Sequence, residues 1–280
     1  MDDRGIVLLA QNSNTANYVE QACILAMSLK LTNPNDKISI ITNDLVDDDY
    51  KELFDHIIPI PYSDDAAESN WKIENRWKIY HATPYQKTIV MDTDMLILQD
   101  ISSWWNFLSK YELFFTSKVY TYRGNEVDSD FYRKAFTANN LPNLYTGFHY
   151  FEKSNFAHEF YKWMELITQN WELFYGQYVK EHYPSRPSMD VTAAIAAKIL
   201  DCEHQIINKN IKFPSFIHMK SHIQDWTEHS EQWQKNIATY IDRNCNVRLG
   251  NYLQDGILHY TEKDFVTSKL IDRYRNILNV

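Results

Sequence analysis

The sequence predicts an α/β fold: a mostly parallel, mixed sheet flanked by helices, with a more helical and less regular C-terminal part. Strand-like and helix-like patterns alternate from the N-terminus onward, the order that builds parallel sheets through right-handed crossovers. The 280 residues are 44% hydrophobic and 15% aromatic, enough for a sizeable core and too much for disorder. A long apolar run, Lys87 to Leu98, carries two aspartates one residue apart, Asp92 and Asp94. No repeat, low-complexity linker or break in composition divides the chain, so one domain over residues 1–280 is expected.

The elements follow in order. Ile6 to Ala10 reads as a short apolar strand. Tyr18, Ala22, Leu25, Ala26 and Leu29 recur at helical spacing, an amphipathic helix. Lys37 to Thr42 is a second strand, Asp47 to Phe54 a short helix, and Ile57 to Ile60 a third strand closed by Pro59 and Pro61. A helix near Trp71 to His81 leads through Thr83-Pro84-Tyr85 into the strand with the acidic pair. Glu112 to Val119 and Gly147 to Phe151 read as further strands, and Phe156, Phe160, Trp163, Met164 and Ile167 mark a helix. Met189 to Leu200 is the clearest helix of the second half. Ile257 to Tyr260 is a late strand before a C-terminal helix.

Ionised aspartates are depleted in strands and costly to bury alone, so the pair needs a compensating cation. In an extended segment, residues i and i+2 project from one side, bringing Asp92 and Asp94 toward a common point. A hard divalent ion such as Mg²⁺ or Mn²⁺ turns their repulsion into attraction and also binds phosphate oxygens. The plainer alternative is one aspartate capping an element and the other in solvent. The apolar residues on both sides favour a site at the end of a buried strand.

Composition excludes several classes. The formal charge of −9, with no cluster of Lys and Arg, argues against a general nucleic-acid binder. Cys23, Cys202 and Cys245 are far apart and show no C-x-x-C spacing, which fits a reducing compartment. The first strand is too short for a signal segment and no run approaches the ~20 residues of a membrane span. A cytoplasmic protein without a membrane span is expected.

Ligands of open α/β sheets bind beyond the carboxyl ends of the strands. That directs attention to Ala10, Gln11 and Asn12 after the first strand, Asn43-Asp44 after the second, and the acidic pair with Thr93. The chain has only six glycines and neither glycine-rich phosphate motif. A bound diphosphate would therefore be neutralised by a metal and by basic side chains. Lys72 and Arg76, four apart on the expected helix, would share one face and approach the site together. An arginine there can chelate a phosphate bidentately. The alternative is a solvated helix face paired with Glu68 or Glu74, with Lys78 a weaker third cation.

The segment Lys78 to Ile101 resembles the acidic-motif region of glycogenin-like glycosyltransferases with the GT-A (Rossmann-like) fold. The resemblance is closest over about 25 residues and schematic elsewhere. It implies transfer of a sugar from a nucleoside diphosphate sugar, a UDP-sugar foremost, to an acceptor hydroxyl on a glycan, protein or small molecule. It also implies that Asp92 and Asp94 hold Mn²⁺ (or Mg²⁺) against the diphosphate, and that anomeric configuration is retained. Residues 1–110 would then form the nucleotide-sugar and metal half, and residues 111–280 the acceptor side. Tyr145-Thr146-Gly147-Phe148 is similar to the family's Asn-Ala-Gly strand, with Tyr145-Thr146 in place of Asn-Ala. Pro187-Ser188-Met189-Asp190 stands where the family has Asp-Gln opening a helix; Asp190 is kept and Val191 replaces Gln. Gly256-Ile257-Leu258-His259-Tyr260 is similar to the strand whose His is the third metal ligand, although the Lys-Pro-Trp signature after it is absent and Lys263 is the nearest lysine.

On chemical grounds alone a neutral His259 imidazole completes an Asp/Asp site well, while a lone strand histidine can also be structural. His218 and His222 compete for that place and, with Lys220, are candidates for gripping phosphate or acceptor. Asp190 is the candidate carboxylate near the reacting carbon, with Arg76 stabilising the leaving diphosphate. Trp104, Trp105, Trp171, Tyr175, Tyr178 and Tyr183 are mostly expected in the core, with a minority facing a sugar. Two rivals stay open: a non-catalytic binder of sugar nucleotides or glycans, and a nucleotidyltransferase, against which the Gln11-Asn12-Ser13-Asn14 loop counts.

Overall fold

The computed structural model describes residues 2–69, 72–127, 133–219, 237–260 and 265–280. Trp71, Lys220, His222 and Lys263 lie outside the described residues. The central sheet has six strands in the order β3-β2-β1-β4-β7-β6. These are β1 (Asp2–Leu9), β2 (Ile38–Ile41), β3 (His56–Ile58), β4 (Tyr85–Met91), β6 (Leu113–Thr116) and β7 (Tyr145–Glu152). β1 to β4 run parallel, while β7 runs antiparallel to both β4 and β6, so the sheet is mixed as expected.

Period-two alternation sends successive side chains of each strand into opposite cores. Ile6 and Leu8 of β1, Ile89 and Met91 of β4, and Phe148 and Tyr150 of β7 join one core. Val7, Val90 and Phe151 join the other. Both faces are covered, which is why these strands read as continuous apolar runs. Each fully buried aliphatic or aromatic side chain contributes about 1.5–3 kcal/mol.

The first core is capped by α1 (Tyr18–Thr32), whose N-terminus is closed by the Asn17 side chain accepting from the Glu20 N–H at 3.0 Å. The amphipathic expectation for α1 is corrected: every residue from Gln21 to Leu29 is buried. The reason is tertiary. One side of α1 faces the central sheet and the others meet β5 (Met95–Ile97) and the C-terminal helix, α9 (Ser268–Leu278). The second core is covered by α5 (Asn155–Gln169), capped by Ser154, and by α7 (Met189–Ile199). Shorter helices are α2 (Ile79–Ala82), α3 (Trp104–Leu108), α4 (Lys134–Ala138), α6 (Trp171–Tyr178) and α8 (Glu203–Ile206).

The C-terminal part also carries short strands that only partly declare themselves in sequence: β8 (Phe216–His218), β9 (Thr239–Ile241), β10 (Val247–Leu249), β11 (Tyr252–Leu253) and β12 (Ile257–His259). β9, β10 and β11 form an antiparallel sheet of three. β12 lies between β5, antiparallel to it, and β8, parallel to it. The apolar run around the acidic pair is therefore two strands in two sheets. Gly256, at φ +68°, turns the chain into β12, and a Cβ there would stand 2.2 Å from the Ser215 carbonyl oxygen. Among the described residues no helix is long and apolar enough to cross a membrane.

Candidate metal and substrate site

Asp92 and Asp94 lie where the chain leaves β4 at its carboxyl end and bends into β5. The extended i, i+2 geometry expected for the pair is replaced by this bend, yet the two carboxylates still converge. Asp92 is fastened to the central sheet, its N–H donating to the Gly147 carbonyl at 2.9 Å. Asp94 is fastened to the smaller one, its carbonyl accepting from the Tyr260 N–H at 3.1 Å. The register pairs His259 of β12 with Met95 on one side and His218 on the other, so His259 stands beside Asp94. Its Nε2 is 3.0 Å from Asp94 Oδ1.

One ligand atom each from Asp92, Asp94 and His259 lies within 4.8 Å of the others. This donor set, two hard carboxylates and a borderline imidazole, suits Mn²⁺ or Mg²⁺. Opposed ligands on bonds of ~2.1 Å stand ~4.2 Å apart, so a small closure would bring all three to one ion. Two further observations fit. The Cβ that Gly147 lacks would stand 3.0 Å from Asp92 Oδ2, so the glycine leaves the carboxylate its room. The buried Nδ1 of His259 has no hydrogen-bond partner among the described residues, leaving this side chain held chiefly through Nε2.

Arg76 supplies the cation of the site, forming an ion pair with Asp92 Oδ1 in which both side chains are about four-fifths buried. Burial works against its charge, but Asp92, then Asp94 and Asp190, more than offset it and hold the guanidinium above its usual pKa. The expected surface pairing with Glu68 or Glu74 is not what Arg76 makes. The shared helix face with Lys72 is also corrected: Lys72 has φ +53°, helical structure begins only at Arg76, and Lys72 Nζ donates to the carbonyls of Ala66 and Ala67 at 2.7 Å. Lys72 reaches the site by a different backbone route. Lys78 does not face it; it is buried against Asp65 at 2.7 Å.

Two cavities meet at Arg76 and Asp92. One, of about 180 Å³, is lined by Leu9, Gln11, Tyr18, Lys72, Thr93 and Asp94 besides the shared pair. The other, of about 220 Å³, is lined by Tyr145, Thr146, Gly147, Asp190, His218 and His259, with Arg186, besides the shared pair. Gln11 is held by Asp64, donating to both carboxylate oxygens at 3.0 Å. Burial raises the Asp64 pKa, but bonds from Gln11, Asn75 and the Ala66 N–H outweigh it and lower the carboxyl below its usual range. Asn12 serves the backbone, donating its N–H to Asp44 and accepting from the Val19 N–H, and Ala10 is buried in the core. Of the aromatic candidates, Trp104, Trp105 and Tyr175 are core residues, whereas Tyr183 is exposed.

Asp190 sits in the first turn of α7, but its side chain leaves that helix. Oδ1 accepts from the Thr146 N–H at 2.8 Å and from its hydroxyl at 2.7 Å, and Oδ2 accepts from Arg133 Nη1 at 2.6 Å. Sequence reasoning did not find Arg133. It lies beside Lys134 in an unpatterned stretch, and its neighbours in space come from α4, α7 and the segment that opens β7. Beneath Thr146, His149 is buried with Nδ1 2.8 Å from the Thr146 carbonyl and Nε2 2.8 Å from the Tyr161 hydroxyl. Burial drives its pKa down to about 3, so the ring is neutral.

No protein-family model matches this sequence, and no curated protein matches it either. Solved structures do. An active-site mutant of LgtC aligns over 100% of this chain and 95% of its own, with TM-score 0.50 and 13% identity. The galactosyltransferase LgtC, in complex with donor and acceptor sugar analogues, aligns over 70% of each chain, with TM-score 0.46 and 15% identity. The glycosyltransferase GlyE of Streptococcus pneumoniae TIGR4 aligns over 75% of this chain and 46% of its own, with TM-score 0.43 and 14% identity. The match thus spans less than half of GlyE. The full-length likeness to LgtC identifies the fold as GT-A.

Proposed function

We propose that this protein is a metal-dependent glycosyltransferase of the hexosyltransferase type, moving a sugar from a nucleoside diphosphate sugar, with UDP-sugars as the first donors to test, to an acceptor hydroxyl with retention of configuration. The observation that carries the reading is the convergence of Asp92, Asp94 and His259 at the carboxyl end of β4, with Arg76 beside them, at the junction of two cavities. The GT-A fold, shared with a galactosyltransferase, supports it.

In this reading Asp92, Asp94 and His259 hold the divalent ion, which, when bound, neutralises the diphosphate and eases its departure. Arg76 donates to the same oxygens as charge develops there, an electrostatic contribution that is largest in a site already oriented and partly dry. Lys72 and Gln11 line the nucleotide side. Asp190 lies across the junction, where a carboxylate can hold a sugar hydroxyl or face the positive charge that builds on the reacting carbon. His218 flanks the acceptor side together with His259.

The test is donor hydrolysis and transfer with a panel of UDP- and GDP-sugars plus Mn²⁺, on wild type and on Asp94→Ala. Turnover by wild type that is lost in Asp94→Ala is expected. Absence of turnover with every donor, together with absence of metal-dependent nucleotide binding, would sink the reading.

A further inference from the structure

We infer that Arg133 and Thr146 are positioning residues for Asp190, fixing the plane and the charge of its carboxylate, Arg133 from behind the cavity wall and Thr146 from within it. The inference rests on the proposed sugar-transfer reading and adds to it Arg133, which no sequence motif marks, and a role toward Asp190 for Thr146.

Arg133 is 6% exposed and is absent from the walls of both cavities. All three nitrogens of its guanidinium group are engaged: Nε donates to Asn143 Oδ1 at 2.9 Å, Nη1 to Asp190 Oδ2 at 2.6 Å, and Nη2 to the Leu144 carbonyl. The flat cation is sandwiched, its carbon 3.8 Å from the centre of the Phe136 ring and 4.1 Å from that of Tyr145. Tyr145 also lines the acceptor-side cavity, and one face of its ring covers the Arg133 guanidinium. An arginine meant to grip phosphate would present its fork to the cavity; this one turns it on a carboxylate, a side-chain amide oxygen and a backbone carbonyl.

The three donors reach Asp190 from two sides, and most of them trace to one stretch of chain. Asn143 and Leu144 fix Arg133, Tyr145 covers its face, and Thr146 binds the opposite carboxylate oxygen through both N–H and hydroxyl. The start of β7 therefore dictates where the first turn of α7 places Asp190. A carboxylate held in this way cannot swing toward solvent or rotate about its last bond without breaking a charge-assisted hydrogen bond. Misplacement of a reacting group by about 1 Å costs on the order of 100-fold in rate.

The experiment is a double-mutant cycle on the full chain, with Arg133→Met, Asp190→Asn and the double variant, plus Thr146→Val, which keeps the side-chain shape. UDP-galactose, UDP-glucose and GDP-mannose with Mn²⁺ are the donors, and Mn²⁺-dependent binding of UDP and GDP is followed by calorimetry. Arg133→Met is expected to lower kcat on the order of 100-fold, with donor KM and nucleotide affinity within about twofold of wild type. In the Asp190→Asn background the same change is expected to cost less than about twofold more. Equal losses in both backgrounds, or an unchanged kcat in a folded Arg133→Met protein, overturn the inference. If Arg133→Met shows no melting transition, Thr146→Val decides: a kcat lowered on the order of tenfold supports the inference and a wild-type kcat overturns it. The cycle can also be read in melting temperature without substrate, and purely additive shifts there overturn the coupling. Inactive wild type with no nucleotide binding would instead count against sugar transfer itself.

Discussion

Gly147→Ala is a small perturbation aimed at the candidate metal site. The new methyl would stand 3.0 Å from Asp92 Oδ2 and 3.0 Å from Met95 Cε, a few tenths of an ångström too close on both sides. Little around it can yield: Met95 is fully buried, and the Asp92 backbone is tied to the Gly147 carbonyl at 2.9 Å. Overpacking of this kind costs about 1–3 kcal/mol, which lowers the melting temperature by roughly 2–5 °C in a chain of this size. The carboxylate is the softer neighbour and should take up most of the shift, moving by more than the ~0.2 Å within which metal-ligand bonds are held. Mn²⁺ affinity should then fall on the order of tenfold, about 1.4 kcal/mol. Differential scanning fluorimetry with and without Mn²⁺, followed by calorimetric titration, reads both effects. A wild-type melting temperature together with wild-type Mn²⁺ affinity would refute the crowding argument and the Asp92 assignment that depends on it.

Other outcomes follow from the same geometry. Mn²⁺ at about a hundredfold above its Kd should stabilise the protein by about 2.7 kcal/mol, reversibly with EDTA; Asp94→Ala and His259→Ala should abolish or weaken that response, and an unchanged Mn²⁺ affinity in His259→Ala would assign the third ligand elsewhere. Arg76→Met removes the cation facing Asp92 and should lower the melting temperature more in EDTA than in Mn²⁺, because the bound ion compensates the lost charge; equal losses in both conditions would count against a shared site. His149 stays neutral in the folded protein down to about pH 3, whereas the unfolded chain protonates it near its ordinary value of 6.5. Its contribution is therefore flat above pH 6.5 and turns against folding as pH falls from 6.5 toward 3, by about 1.4 kcal/mol per unit. Urea titrations between pH 7.5 and about 5 should show a shallower acid loss in His149→Gln, and identical pH slopes would contradict that origin.

The central sheet was legible because its strands are buried on both faces and carry uninterrupted apolar runs, and because βαβ order prescribes parallel pairing. Of the smaller β5-β12-β8 sheet only β12 was legible, as the late strand Ile257 to Tyr260, since strands of three residues are too short to display alternation. That is also why Asp92 and Asp94 were read on one extended segment when a bend between two sheets carries them. Resemblance pointed to His259, and the register of β12 supplies the physical account of its place beside Asp94. Lys72 was reached through a helix that does not extend to it. Arg133 offered no signal: its hydrogen-bond partners lie 10 to 57 positions away, and only the folded arrangement of α4, β7 and α7 assembles them.

The bend between β4 and β5 makes the candidate site a seam. Asp92 belongs mechanically to the six-stranded sheet and Asp94 with His259 to the small one, so the cluster exists only while the two sheets stay in contact. An ion bound there would act as a clasp, and its binding energy would be felt as adhesion between two layers of the fold. Amide exchange in β12 and β5 should slow when Mn²⁺ is added, and loosening the short sheet by mutation at Gly256 should release the metal before it unfolds the rest.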